Sequence, residues 1–203
     1  MLKRLGAEFL GTALMVSLGC LSVKLELSNF LISSTFGIAV FIAILFLRGT
    51  SGAHINPAVS IAFYRSNHLE KKALLPYILA QLLGALFGAL IVGQYGFTSF
   101  NVDIEYGIII EIFITFLLMI GIYFIISKTD NTHLVALWVG LVVGLLAFFF
   151  GPYTGASMNP ARTFGPNLIS GEISSIPIYW ITTTIGAVLA SMLYNQLEKS
   201  KLN

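Results

Sequence analysis

Two stretches, SGAHINPAVS at residues 51–60 and TGASMNPART at 154–163, bring hydrogen-bonding side chains into sequence that otherwise offers few. Both contain Asn-Pro-Ala, as Asn56, Pro57, Ala58 and again as Asn159, Pro160, Ala161, 103 residues later. An asparagine carboxamide both donates and accepts hydrogen bonds. The second stretch adds the fixed charge of Arg162, and His54 stands just ahead of the first motif. Two carboxylates, Glu8 and Glu111, lie inside apolar runs at the same 103-residue offset. The single cysteine, Cys20, excludes an internal disulfide and a Cys-based zinc site. His54, His68 and His133 are scattered without ligand-like spacing. With no nucleophile and base, no metal cluster and no cofactor motif to read, the expectation is a protein that is not an enzyme and binds neither metal nor cofactor. The chemistry on offer is hydrogen bonding and fixed charge.

The elements that position these groups belong to a membrane protein. Of 203 residues 57 % are hydrophobic and 10 % charged, against about 25 % charged in a soluble domain; mean hydropathy is +0.89. So little charge cannot cover a water-facing surface, and a net charge of +2 gives no reason to expect nucleic acid as a partner. Six apolar segments, 5–23, 30–47, 73–93, 106–126, 134–150 and 177–194, approach the about 20 residues that a helix needs to cross a bilayer. The first carries Glu8 and no small-residue cleavage site follows it, so it reads as a retained helix and not a signal peptide. If the six spans alternate, Lys3, Arg4, Arg48, Arg65, Lys71, Lys72, Lys128, Lys199 and Lys201 share one side. Only Lys24 and Arg162 fall on the other, which predicts cytoplasmic termini.

The 103-residue offset extends well beyond the motif. Thr12 matches Thr115, Gly37 matches Gly140, and Gly52 and Ala53 match Gly155 and Ala156. Toward the repeat ends the offset drifts to 101 or 102, pairing Pro76 with Pro177 and Gly84 with Gly186. The chain therefore reads as one channel domain over 1–203 built of two repeats, about 1–100 and 101–203. Each repeat has three spans, an odd number, so the second copy enters the membrane from the opposite face. Inverted repeats with broken helices meeting at the midplane are a transport architecture.

Asparagine is a favoured helix N-cap and proline a favoured first helical residue. Each Asn-Pro should therefore start a helix, yet the apolar sequence after it is too short to span. Such segments are expected as re-entrant half-helices whose N-termini meet in mid-membrane. The preceding segments, 49–55 and 151–158, are expected to run as extended backbone. Each half-helix N-terminus carries about half a positive charge, and two of them facing one another oppose the passage of cations and protons. The carboxamides of Asn56 and Asn159 can hold a passing solute oxygen between them.

Three further groups have competing readings. Glu8 and Glu111 fit acceptors for the loop N–H groups of their own repeats better than a proton relay. Arg162, at membrane depth, reads as a pore residue rather than a snorkelling one because the motif fixes its place. His54 reads first as a packing histidine, with a place in the cytoplasmic vestibule and a pH-sensing role as alternatives.

With HINPAV at 54–59, MNPARTFGP at 158–166 and a glutamate in the first and fourth spans, the chain resembles the aquaporin (major intrinsic protein) family over essentially its whole length. The resemblance implies an all-α membrane protein: six transmembrane helices plus two re-entrant half-helices in an inverted repeat, one pore per subunit, and a homotetramer. It also implies a selectivity constriction at Phe36, Ala147, Ala156 and Arg162, placed by their distances from the two motifs. In strictly water-selective members the position of Ala147 usually holds His; two alanines opposite Phe36 predict a wider, less polar aperture. A one-residue slip would put a Phe of the run at 148–150 there instead. Against a glycerol channel stand Thr163 after Arg162, where glycerol-conducting relatives carry Asp, and Tyr179-Trp180 at the sixth helix. The expected function is a passive channel in the plasma membrane that conducts water along osmotic gradients and excludes ions and protons. Its partners are the lipid bilayer, water and small neutral solutes. A facilitator of glycerol, ammonia or a metalloid hydroxide is the alternative. A coupled secondary transporter, for which Glu8 and Glu111 are the only membrane-depth acids, and a non-conducting protein of the same fold are the further rivals.

Overall fold

Glycines end the two helices that lead into the motifs. The structure, a computed structural model, describes residues 1–200; Lys201, counted above among the cations of one side, lies outside them. The elements are α1 (Leu2–Lys24), α2 (Asn29–Ser51), α3 (Pro57–Arg65), α4 (Lys71–Val92), α5 (Ile104–Lys128), α6 (Thr132–Thr154), α7 (Pro160–Ser170) and α8 (Ile176–Ser200), with a 3-10 turn at Ile173–Ser175. No strand occurs among the described residues. Six helices among the described residues are long and apolar enough to cross a membrane. All six begin before the apolar segments read from the sequence, and all but α4 also end later.

Helices α2 and α6 run on to Ser51 and Thr154, where Gly52 (φ 92°) and Gly155 (φ 72°) cap them in the left-handed conformation. The loops into the half-helices are thus shorter than the sequence implied, and the expectation of extended backbone fails. Ala53 and Ile55, and in the second repeat Ala156 and Met158, have φ between 41° and 52°. Left-handed backbone at a side-chain-bearing residue costs about 1–3 kcal/mol, and it persists only where the surroundings hold it. Here the surroundings are the buried carboxylates described below.

The half-helices start as their sequence predicts. Asn56 Oδ1 accepts from the backbone N–H of Ala58 at 2.8 Å and of Val59 at 3.4 Å. Asn159 Oδ1 accepts from Ala161 at 2.9 Å and from Arg162 at 3.4 Å. With 9 and 11 residues, α3 and α7 cannot span a bilayer.

Helix α2 packs on α6, α1 on α4 and α5 on α8. Where α2 crosses α6 the backbones touch: a Cβ added to Gly37 would lie 2.6 Å from the Gly140 carbonyl oxygen, and one on Gly140 2.8 Å from that of Gly37. Two buried tyrosines secure the helix ends, Tyr77 donating to the Ser51 carbonyl at 2.8 Å and Tyr179 to that of Thr154 at 2.6 Å. The outward faces are apolar, with Phe46, Leu90 and Ile109 all more than 60 % exposed. Acyl chains, not water, suit such a surface.

Candidate functional site

Between the repeats lies a cavity of about 750 Å³. Both motif asparagines line it, and each clasps the opposite loop. Asn56 Nδ2 donates to the Met158 carbonyl at 2.8 Å, and Asn159 Nδ2 donates to the Ile55 carbonyl at 2.9 Å. A carboxamide nitrogen has two N–H groups, so each clasp leaves one. Asn159 Nδ2 also sits 3.8 Å from Met15 Sδ, a weak acceptor that lines the same cavity. The remaining Pro and Ala residues of the motifs, Pro57, Ala58, Pro160 and Ala161, are buried behind the asparagines in the first turns of α3 and α7.

The two carboxylates are fully buried. Glu8 accepts from the Ser51 hydroxyl (2.6 Å), the N–H groups of His54 (3.0 Å) and Ile55 (2.7 Å), and Gln81 Nε2 (2.8 Å). Glu111 accepts from the Thr154 hydroxyl (2.7 Å) and the N–H groups of Ser157 (2.9 Å) and Met158 (3.0 Å). The left-handed turns aim two successive N–H groups at one carboxylate, which is why non-glycine residues tolerate them. Neither glutamate lines the cavity.

Phe36, Ala147, Ala156 and Arg162 all line the cavity, and no Phe of 148–150 does. Phe148 and Phe149 point outward, exposed. The Arg162 guanidinium donates to the Gly96 carbonyl and lies 4.7 Å from the centre of the Phe36 ring. Arg162 is 6 % exposed and belongs to no ion pair among the described residues. A charge at this depth is held by one carbonyl, one aromatic face and the cavity itself.

At the other end the cavity reaches His54, Phe63, His68 and Tyr194. His54 is buried; its Nδ1 shares a hydrogen bond with Ser60 Oγ at 3.0 Å, and its ring packs on Phe63 and Tyr77. It therefore both packs and faces the cavity. The sequence offered no ligand-like spacing for His68, yet its ring contacts Phe63, Tyr123 and Tyr194, and its Nδ1 lies 3.0 Å from Ser66 Oγ. Asn67, at φ 61°, turns the chain so that His68 comes back over this mouth. Nothing in the spacing of the histidines signalled it.

The sequence matches the major intrinsic protein family over residues 1–194. It is 37 % identical to aquaporin-4 of Mus musculus over 213 aligned residues, which take in 95 % of this chain and 66 % of that one. It is 35 % identical to aquaporin NIP1-1 of Zea mays over 217 residues, 97 % of this chain and 75 % of the other. This chain thus spans just under two thirds of the length of the aquaporin-4 relatives. Among solved structures it is similar to the aquaglyceroporin from Plasmodium falciparum, with a TM-score of 0.86, 25 % identity and 95 % of each chain covered. Fold, paired motifs and relatives agree: the chain belongs to the major intrinsic protein family of aquaporin-type channels and is an integral, multi-pass membrane protein.

Proposed function

We propose that this chain is a passive pore that passes water down an osmotic gradient and excludes ions and protons, with an aperture that also admits small uncharged solutes. Aquaporin-family members are channels that pass water or small solutes, not enzymes. The observation that carries the reading is the pair of half-helix N-termini facing one cavity, each capped by an asparagine tied to the opposite loop. In the proposed path a solute passes Phe36, Ala147, Ala156 and Arg162, then the second amide N–H groups of Asn56 and Asn159, the latter lying against the weak acceptor Met15 Sδ. A water whose oxygen accepts from both carboxamides turns its own hydrogens outward, and a proton-conducting chain breaks there. The half-positive helix ends and Arg162 repel cations along the same path. The side on which Lys and Arg cluster supports cytoplasmic termini. The plasma membrane and a homotetramer complete the proposal by likeness to the family.

A second reading, a glycerol-class facilitator, is favoured by one feature. Ala147 and Ala156 bring methyl groups alone to the cavity that Phe36 also lines, and the aquaglyceroporin likeness points the same way. Stopped-flow light scattering of proteoliposomes separates the two. Rapid shrinkage in a sucrose shock without reswelling in a glycerol shock gives a water channel; rapid reswelling gives the facilitator. Rates no faster than empty liposomes, with folded protein present, end both readings.

A further inference from the structure

The four proposed constriction residues do not hold themselves in place. Phe36 is aromatic, 7 % exposed, and must present a ring to the cavity while leaving an opening. The ring can sit where it does because α1 has no side chain at Gly19. A Cβ built there would lie 2.1 Å from Phe36 Cε1, 2.3 Å from Cζ and 2.5 Å from Cδ1, well inside contact distance. The ring edge thus occupies the volume of the missing side chain. Its face stands 4.7 Å from the Arg162 guanidinium. Any group added at Gly19 must push the ring off α1; its face already rests on Arg162, and the open space it borders is the cavity.

The next residue of α1 backs the other arm of the same constriction. The Cys20 thiol lies 3.7 Å from the Gly96 carbonyl oxygen, the atom that accepts from Arg162. A Cβ on Gly96 would fall 2.6 Å from Cys20 Sγ. Neither Gly19 nor Cys20 lines the cavity, yet Phe36 and Arg162, which pack against each other beside it, both rest on this one step of α1. In the second repeat the matching positions, 103 residues on, are Ile122 and Val139. There the side chain on the α1-equivalent helix is large and its neighbour on the α2-equivalent helix has no ring. At these matched positions the pairing of an absent side chain with a ring occurs in the first repeat alone.

We infer that Gly19 is a specificity-determining residue, which sets the aperture by letting the Phe36 ring retract into α1. The inference rests on the pore reading proposed above. Gly19 touches no solute; it is a positioning residue, and it acts through Phe36.

The test compares four proteins in proteoliposomes: wild type, Gly19→Ala, Phe36→Ala and the double variant. Shocks use sucrose for water, then formamide, urea and glycerol in order of size. The readout is the permeability of the largest solute that the wild type passes, divided by water permeability. That ratio does not depend on how many channels are folded. Gly19→Ala should lower it about tenfold, the scale on which a fitted site responds to one methylene. If the wild type passes water alone, water flux per folded channel should fall instead. In the Phe36→Ala background the added methyl has the ring's former space, so Gly19→Ala should leave the readout unchanged and should restore folded yield if the single variant loses it. An unchanged readout in Gly19→Ala, or an equal loss with and without Phe36, overturns the inference, as does a double variant that cannot be folded. Wild type and Phe36→Ala both as slow as empty liposomes would instead reject the pore reading itself.

Discussion

Position for position, the cavity end lined by Phe36, Ala147, Ala156 and Arg162 has a counterpart 103 residues away in Val139, Ile44, Ala53 and Val59, all of which line the cavity too. One set carries a ring and a charge; the other is wholly apolar. The backbones beneath them do nearly identical work. Each repeat has a glutamate bonded to two consecutive loop N–H groups, an asparagine cap, and a tyrosine on the last carbonyl before the loop. Duties set by backbone geometry have stayed paired, since each repeat must bury the same orphaned donors. Duties set by side chains have diverged, as the proposed filter at one end alone requires. The wiring behind the loops differs as well. In the first repeat Gln81 Nε2 joins Glu8 to Ser60, whereas at the equivalent of Gln81, Thr183 bonds its own helix at the Tyr179 carbonyl. In the second loop Ser157 instead shares a 2.6 Å hydrogen bond with the Thr163 hydroxyl, which shares one of 2.8 Å with Thr98.

The comparison can be broken first at the carboxylates. Glu8→Ala and Glu111→Ala each strand buried donors at about 1–3 kcal/mol apiece. Glu8 has four partners and Glu111 three, so both variants should unfold at markedly lower temperature in detergent, Glu8→Ala the more so. Equal and small shifts would mean that the loops hold their turns without them. Next comes the charge. Arg162→Val gives the second repeat the residue found in the first, and reswelling in glycerol should quicken several-fold while a pH-sensitive dye inside the vesicles reports faster proton entry. If neither changes, Arg162 lies off the path. The smallest effects sharpen the difference in wiring. Gln81→Leu removes two hydrogen bonds, worth about 1 kcal/mol each, and should lower stability measurably. Thr183→Val should shift it by no more than about 0.5 kcal/mol, the range of changes that strand nothing.

What the residues reveal on their own follows the reach of each interaction. Asn56-Pro57 and Asn159-Pro160 are legible because capping is local: the acceptor and the N–H groups it serves lie within three residues. Glu8 and Glu111 become legible through the repeat, since a buried acid that recurs in register needs a recurring partner. The left-handed turns at Ala53, Ile55, Ala156 and Met158 are not legible, because these residue types seldom adopt them and only the distant carboxylate compensates. Gln81 and Thr98 stayed hidden for a related reason, as tertiary packing alone brings Gln81 to Glu8 and Ser60 and Thr98 to Thr163 and Asn167. Gly19 reads as one of several small residues in α1 until α2 lays a ring across it. The register of Ala147 against the Phe run at 148–150 likewise needed the turn of α6 to be known.

The clasp between the asparagines and the opposite loops also orders the birth of the molecule. Asn56 reaches Met158 across 102 residues, and Asn159 reaches Ile55 across 104. Chains are made N-terminus first, so α1–α4 exist before either tie can form. Until α7 arrives, the Asn56 amide and the Ile55 carbonyl have no protein partner, at a depth where an unsatisfied polar group costs several kcal/mol. The centre of the molecule is therefore among the last parts to be finished, and a half-inserted chain displays its own incompleteness as two polar groups awaiting the other half.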